Sequence, residues 1–110
     1  MELFLREAAG PWAVLGVQGE LDLHTSTSLR DRLRDLIDEG HARIAVDMTD
    51  VTFMDSSSLG VLVVAMKRLR EKDGELSLIG VNGSPFKVLS LTGMDRVLSI
   101  YATPSELPRA

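Results

Sequence analysis

The sequence predicts a single α/β domain with a mixed, mostly parallel β-sheet that is opened by a β-hairpin and covered by helices mainly on one face. Two observations predict this fold. A Gly10-Pro11 breaker separates two apolar segments near the N-terminus, which is typical of a hairpin. After it, strand-like and helix-like segments alternate, and this order requires crossover connections and hence parallel strands. The length of 110 residues fits one domain.

The first half of the chain is expected to contain the hairpin, one helix and one buried strand. The segments ELFLREA and WAVLGVQGEL form the hairpin. Helical spacing of apolar residues predicts a helix from Thr25 to Glu39, ended by Gly40, with a core stripe of Leu29, Leu33, Leu36 and Ile37. ARIAVDM is apolar at consecutive positions, as expected of a strand buried on both faces. TDVTFMD is expected to be a loop.

A second helix is predicted from Ser57 to Lys72, with serine hydroxyls capping its start, basic residues in its last turns and Gly74 after its end. Its core stripe is expected to consist of Leu59, Leu62, Met66 and Leu69. Val61, Val64 and Ala65 are left to face a neighbouring helix or a partner. Gly60 costs the helix about 1 kcal/mol relative to alanine, which indicates either tight packing within the domain or a partner close to the backbone.

The remaining segments complete the predicted domain. ELSLIG and RVLSIY are expected to be strands. Between them, Ser84-Pro85 indicates the start of a short third helix that covers the residues Phe86, Val88, Leu89 and Leu91 and ends at Gly93. Residues 1–102 then form the core of one domain spanning residues 1–110. Residues 103–110 form a short tail that is expected to fray, because Pro108 leaves room for barely one turn.

Composition excludes several classes of function. The chain has no cysteine, and His24 and His41 lack metal-ligand spacing, so we expect no metal, no cofactor and no thiol chemistry. The net charge is -4 and the basic residues are dispersed, which argues against direct nucleic-acid binding. No apolar run is long enough to span a membrane, and no signal peptide is indicated. A cytoplasmic protein without membrane insertion is expected.

The stretch FMDSSSLG raises the main functional question, because three serines follow Asp55 at the start of the second helix. They could be helix caps and no more. They could also be modified, since a helix N-terminus tolerates a phosphate well. The added negative charge would then oppose the docking of a partner without unfolding the domain.

Two separate motifs carry a resemblance to a known family. Gly19-Glu20-Leu21-Asp22 matches a G-E-L-D segment, and Asp55 to Gly60 matches a D-S-[ST]-G-L-G segment, although Ser58 stands where the second pattern usually has glycine. Together with the surrounding sequence, roughly from Trp12 to Tyr101, these motifs resemble the STAS domain of bacterial anti-sigma factor antagonists.

The resemblance implies a phosphorylation switch that controls binding. Ser57 would be phosphorylated by an anti-sigma factor that is also a serine kinase, with Ser56 and Ser58 as further candidate acceptors, and a serine phosphatase would reverse the reaction. The unmodified chain would bind the kinase and free a sigma factor. ATP and magnesium would belong to the kinase.

The resemblance also implies a partner-binding face formed by the loop after the second strand and by the start of the second helix. Its expected members are Asp22, His24, Thr25, Asp55, Ser56, Ser58, Leu59, Gly60 and Val61. Ser58 would add a side chain where the kinase approaches. Asp22 could equally be a turn or capping carboxylate.

Two other classes of function compete with the antagonist. A STAS scaffold or regulatory subunit of a transporter or signalling complex would use the same fold with the serines as caps only. A serine-nucleophile enzyme is disfavoured, because the sequence has no G-x-S-x-G elbow and no suitably placed histidine. The chain is therefore not expected to be an enzyme.

Overall fold

The computed structural model describes residues 2–109, which form a five-stranded sheet and three α-helices. In chain order the elements are β1 (Glu2–Leu5), β2 (Ala13–Leu21), α1 (Ser26–Asp38), β3 (Arg43–Met54), α2 (Ser56–Glu71), β4 (Glu75–Ile79), α3 (Gly83–Thr92) and β5 (Ser99–Tyr101). Short 3-10 helices at Met94–Arg96 and Pro104–Glu106 precede and follow β5.

The sheet is mixed and its strands follow the chain order β1-β2-β3-β4-β5. β1 pairs antiparallel with β2, while the other three pairs are parallel. Each parallel pair is joined through a helix, because a parallel neighbour can be reached only by a crossover. The predicted fold class and the opening hairpin are both confirmed.

The larger core lies between the sheet and the helices. Strand residues such as Leu15, Val46 and Leu78 pack there against residues from all three helices, including Leu33, Leu36, Leu62, Leu69 and Leu89. A second, smaller cluster lies apart from this core and consists of Ala9, Trp12, Val14, Ala45, Ile79 and Leu107. Along β2, Val14 and Leu15 are neighbours and so point to opposite faces of the sheet. The helices therefore cover one face, and the C-terminal segment packs on the other.

The C-terminal segment is anchored to the sheet. Leu107 is buried with Trp12 in the smaller cluster, and the Nε1 atom of Trp12 donates a hydrogen bond of 2.6 Å to the carbonyl oxygen of Pro108. The expectation that this segment frays is wrong for its described part, because the indole gives it an apolar contact and a hydrogen bond. The division into a core and a tail stays a prediction, and its outer ends, Met1 and Ala110, lie outside the described residues.

One predicted loop is a strand. TDVTFMD was expected to be irregular, but β3 continues through it to Met54. Val51 and Met54 point into the core, and this half of β3 pairs with the end of β2, with one register irregularity before it and another within it. Two exposed residues separate each buried one here, so the segment lacks the regular alternation of a strand in sequence, and pairing with β2 makes it one.

The third helix and the last strand differ in detail from the prediction. α3 begins at Gly83, after Asn82, and ends at Gly93 as expected, with Gly93 at φ 76°. The helix contains the four apolar residues that were assigned to it, and of these Leu89 is buried whereas Phe86 and Leu91 are exposed. Leu91 follows Leu89 by two residues and therefore points to the opposite side of the helix. β5 starts three residues later than predicted, because Met94–Arg96 form a 3-10 helix.

Candidate functional site

Two loops meet at the carboxyl ends of β2 and β3. Residues 22–25 connect β2 to α1, and Asp55 connects β3 to α2. The backbone N-H of Asp55 donates a hydrogen bond of 3.1 Å to the carbonyl oxygen of Leu21. Because β2 and β3 are parallel neighbours, their carboxyl ends lie at the same edge of the sheet. The fold thus brings together the two segments that the sequence motifs singled out.

Asp55 organises the first turn of α2. Its backbone is extended, and its Oδ1 atom accepts hydrogen bonds from the Ser57 hydroxyl at 2.5 Å and from the Ser58 N-H at 3.1 Å. The Ser58 hydroxyl lies 3.3 Å from the same oxygen. The N-cap is therefore the Asp55 carboxylate, and the prediction of a serine cap is wrong. The bond from the Ser57 hydroxyl is the largest of several hydrogen bonds that lower the pKa of Asp55, although partial burial opposes them.

The three serines have different environments. Ser56 is exposed, Ser57 is half-buried, and Ser58 is completely buried. The expectations that Ser58 is a third acceptor, and that its side chain stands in the path of a kinase, are wrong because it points into the domain. Leu59 is also mainly a core residue, with 8% of its surface exposed. Of the three serines, Ser56 and Ser57 are accessible at the surface, Ser57 only in part.

Asp22 shapes the loop between β2 and α1. Its Oδ1 atom accepts hydrogen bonds from the N-H groups of His24 at 2.9 Å and Thr25 at 3.0 Å. These bonds, above all the one from the Thr25 N-H, lower the pKa of Asp22. Thr25 in turn donates from Oγ1 to the carbonyl oxygen of Glu20 at 2.7 Å. Asp22 thus has the turn-forming role that was one of its two interpretations, and it stays half-exposed.

Ser26 links the two loops, although it belongs to neither sequence motif. Its hydroxyl donates to the carbonyl oxygen of Leu23 at 3.1 Å and lies 3.5 Å from the hydroxyl of Ser57. Leu23 was also missed, and its side chain is 70% exposed. An isolated leucine between two polar loop residues, Asp22 and His24, is the signal that could have identified it.

Near the start of α2, the helix backbone is exposed at Gly60, which has no side chain. Gly60 is exposed, and a Cβ atom placed on it would have no heavy atom within 4 Å apart from its chain neighbours and the nearby backbone of its own helix. Packing within the domain therefore does not explain this glycine. The predicted core stripe of Leu59, Leu62, Met66 and Leu69 is buried, and Ala65 is buried with it. Val61 is half-buried and Val64 is exposed.

The described part of the chain contains neither a candidate metal site nor a candidate membrane-spanning helix. His24 and His41 are exposed, and residues 2–109 contain no cluster of acidic or histidine side chains that could hold a metal ion. None of the helices in this range is both long and apolar enough to cross a membrane.

Comparison with known proteins assigns the fold and the motifs to a family. The STAS domain model matches residues 5–107. The anti-sigma-B factor antagonist of Listeria monocytogenes is 32% identical over 91 residues, which cover 83% of this chain and 80% of that protein. The unphosphorylated form of the anti-sigma factor antagonist SpoIIAA superposes with a TM-score of 0.80 at 25% identity, over 93% of this chain and 89% of that structure.

A phosphorylated form of SpoIIAA from Bacillus is also similar. Its TM-score is 0.73 at 25% identity, with 93% of this chain and 92% of that structure covered. The matched region contains both loops of the candidate site, and the family match extends over nearly all of the described residues. The chain belongs to the STAS domain family.

Proposed function

We propose that the chain is an anti-sigma factor antagonist that is switched by phosphorylation of Ser57. In its unmodified form it binds an anti-sigma factor serine kinase and so releases a sigma factor. Phosphate on Ser57 ends this binding, and a serine phosphatase restores it. The relatives named as antagonists support the general role. The geometry around Ser57 supports the switch.

The observation that carries the proposal is the placement of the Ser57 hydroxyl. It lies at the N-terminus of α2, belongs to a residue that is partly exposed, and donates its hydrogen to Asp55 Oδ1 at 2.5 Å. The oxygen lone pairs are then available to an incoming phosphorus atom. The donors to Asp55 hold its pKa low, which makes it a weak base. ATP, magnesium and the group that removes the serine proton would therefore come from the kinase, and this chain would be the substrate.

A phosphate on Ser57 would change the surface more than the fold. The free N-H groups and the positive end of the α2 dipole favour a phosphate at this position. The same phosphate would bring up to two negative charges next to ionised Asp55, and it would stand beside the loop that contains Leu23. A partner that buries this region would have to desolvate all of these charges, which opposes binding.

The proposed partner-binding face combines the exposed members of the two loops. Asp22, His24, Thr25 and Asp55 would contribute polar groups, and Leu23 adds an apolar contact. Ser56, Gly60 and Val61 would contribute the start of α2, where the absence of a side chain at Gly60 lets a partner come close to the backbone. Ser58 and Leu59 would support the face from inside, because their side chains are buried.

The test compares variants in binding to the anti-sigma factor kinase of the same bacterium. Ser57→Asp should weaken binding at least about tenfold, because an extra charge would face the partner. Ser57→Ala should bind like the unmodified chain but should not be released by ATP. Ser56→Asp is the matched control, since it adds the same charge one residue away, and it should have the smaller effect.

Equal binding by Ser57→Asp and Ser57→Ala would contradict the switch. In that case the serines only shape the first turn of α2, and the chain is a STAS scaffold or a regulatory subunit of a transporter or signalling complex. Recovery of membrane-transport subunits without a kinase would support that second function.

A further inference from the structure

A shallow apolar groove lies between α1 and α2. Its floor is made by the buried residues Leu33 and Ile37 of α1 and Ala65 of α2, and the exposed Val64 forms part of its wall. Each helix contributes residues at i, i+3, i+4 and i+7, so the groove follows one continuous face of both helices. We call this surface the α1-α2 groove.

The ionisable side chains that line the α1-α2 groove are all arginines, namely Arg30, Arg34 and Arg68. The Oδ1 atom of Asp31 lies 3.4 Å from Nη2 of Arg30 and 3.5 Å from Nη2 of Arg34. The Oδ1 atom of Asp38 lies 3.1 Å from Nη2 of Arg68. Ion pairs between such exposed side chains contribute little stability. The arginines can therefore exchange these aspartates for carboxylates of a partner at small cost.

The size and chemistry of the groove restrict what can occupy it. Its volume is about 160 Å³, below the roughly 300 Å³ at which small-molecule sites begin. A free anion would gain nothing from the apolar floor. A helix with apolar residues on one face suits a groove of this shape, and acidic residues beside that face would complement the arginines.

We propose that the α1-α2 groove binds an acidic amphipathic helix of a partner protein. The apolar face of that helix lies on Leu33, Ile37 and Ala65, and its carboxylates pair with the arginines. The groove begins at Val61, in the second turn of α2, and so continues the surface next to Ser57. The proposal does not depend on phosphorylation of Ser57.

The test uses synthetic helical peptides and the whole ¹⁵N-labelled chain. One peptide has leucines on one face with glutamates beside them, and a second has lysines in place of the glutamates. Only the acidic peptide should shift the amide signals of Val64, Ala65 and the residues around Arg34, and added salt should weaken this effect. Equal shifts from both peptides, or no shifts at the groove from the acidic one, would overturn the proposal.

Two variants test the charge contribution directly. Arg34→Glu should weaken binding of the acidic peptide at least about tenfold, because a like charge would then face it. Lys67→Glu is the matched control, since it makes the same charge change on the exposed side of α2 outside the groove and should have little effect. Equal losses in both variants would overturn the proposal.

Val64→Ala tests the apolar contribution, because Val64 is exposed and its truncation leaves the core intact. This variant should weaken peptide binding without changing the unfolding temperature. Unchanged peptide affinity would overturn the apolar docking. Ser57→Asp should leave peptide affinity within about twofold, so that failure of the groove proposal and failure of the phosphorylation switch remain distinguishable.

Discussion

The hydroxyl of Ser57 donates a hydrogen bond of 2.5 Å to the Oδ1 atom of Asp55, which also accepts the N-H of Ser58. One carboxylate oxygen therefore caps α2 and positions the proposed phosphoacceptor. This double role means that folding and switching can be affected by the same residue. Substitutions must be chosen to separate the two effects.

Replacement of Asp55 by alanine should destabilise the domain. It removes the cap of α2 and leaves the buried Ser58 hydroxyl without its acceptor, so the unfolding temperature should fall by roughly 5 °C or more. Asp55→Asn retains an acceptor oxygen, so its unfolding temperature should fall less. Circular dichroism melts measure both. Equal unfolding temperatures for the wild-type protein and Asp55→Ala would contradict the capping role.

The hydrogen bond from Ser57 should be visible in the titration of Asp55. The pKa of Asp55 is lowered, with the Ser57 hydroxyl as the largest cause, so Ser57→Ala should move this pKa back towards its ordinary value of 3.8. Side-chain carboxyl ¹³C shifts followed by NMR report this change directly. An Asp55 titration that is identical in the two proteins would mean that Ser57 does not stabilise the carboxylate.

Stability should depend on pH through Asp22 and Asp55. Both have a lower pKa in the folded protein than the ordinary 3.8 of an aspartate. The stabilisation from these carboxylates is thus fully present above pH 3.8 and is lost as the pH falls through the lowered pKa values. Urea unfolding at a series of pH values measures this loss. The double variant Asp22→Asn, Asp55→Asn should show a shallower loss, and an unchanged slope would contradict the assignment.

A substitution at Gly60 should affect stability and partner binding in opposite directions. A Cβ at this position would meet nothing outside its own stretch of helix within 4 Å, so Gly60→Ala should raise the free energy of unfolding by about 1 kcal/mol. The same methyl group should weaken binding of the anti-sigma factor kinase if the partner approaches the helix backbone here. Urea unfolding and titration calorimetry measure the two effects. A more stable variant with unchanged binding would place Gly60 outside the interface.

Ser77 is a site where a small change should stabilise the sheet. Its hydroxyl is buried in β4 and has no hydrogen-bond partner among the described residues. Ser77→Ala removes an unsatisfied polar group and should raise the free energy of unfolding by about 1 kcal/mol. Ser99, its exposed neighbour in β5, is the matched control and should tolerate alanine with little change. A destabilised Ser77→Ala variant would show that the hydroxyl has a partner.

The architecture was predictable because the apolar pattern changes between strand and helix periods along the chain. The strand at the end of β3 was not predictable, because the exposed Thr52 and Phe53 lie between the buried Val51 and Met54. Such a segment is recognised as a strand only when its partner β2 is in place. The exposed face of α3 was missed for a related reason. Its apolar residues are spread around a short helix of ten residues, so their spacing does not reveal which side meets the sheet.

The site was predictable in its main residues but not in the orientation of its serines. Ser58 lies four residues before the buried Leu62, so the helical period alone places it on the core side. The run of three identical residues conceals this signal, because nothing in the run itself distinguishes one serine from the next. The contact between Ser26 and Ser57 joins residues that are 31 positions apart, and only the folded chain reveals it.

The central claim is that Ser57 is the group that an anti-sigma factor kinase modifies. The most direct measurement is tandem mass spectrometry of the chain purified from its own cells with phosphatases blocked, with full coverage of Ser56, Ser57 and Ser58. The account predicts phosphate on Ser57 and none on buried Ser58. A fully covered peptide that is unmodified under several growth conditions, or that carries phosphate only on Ser56, would contradict it.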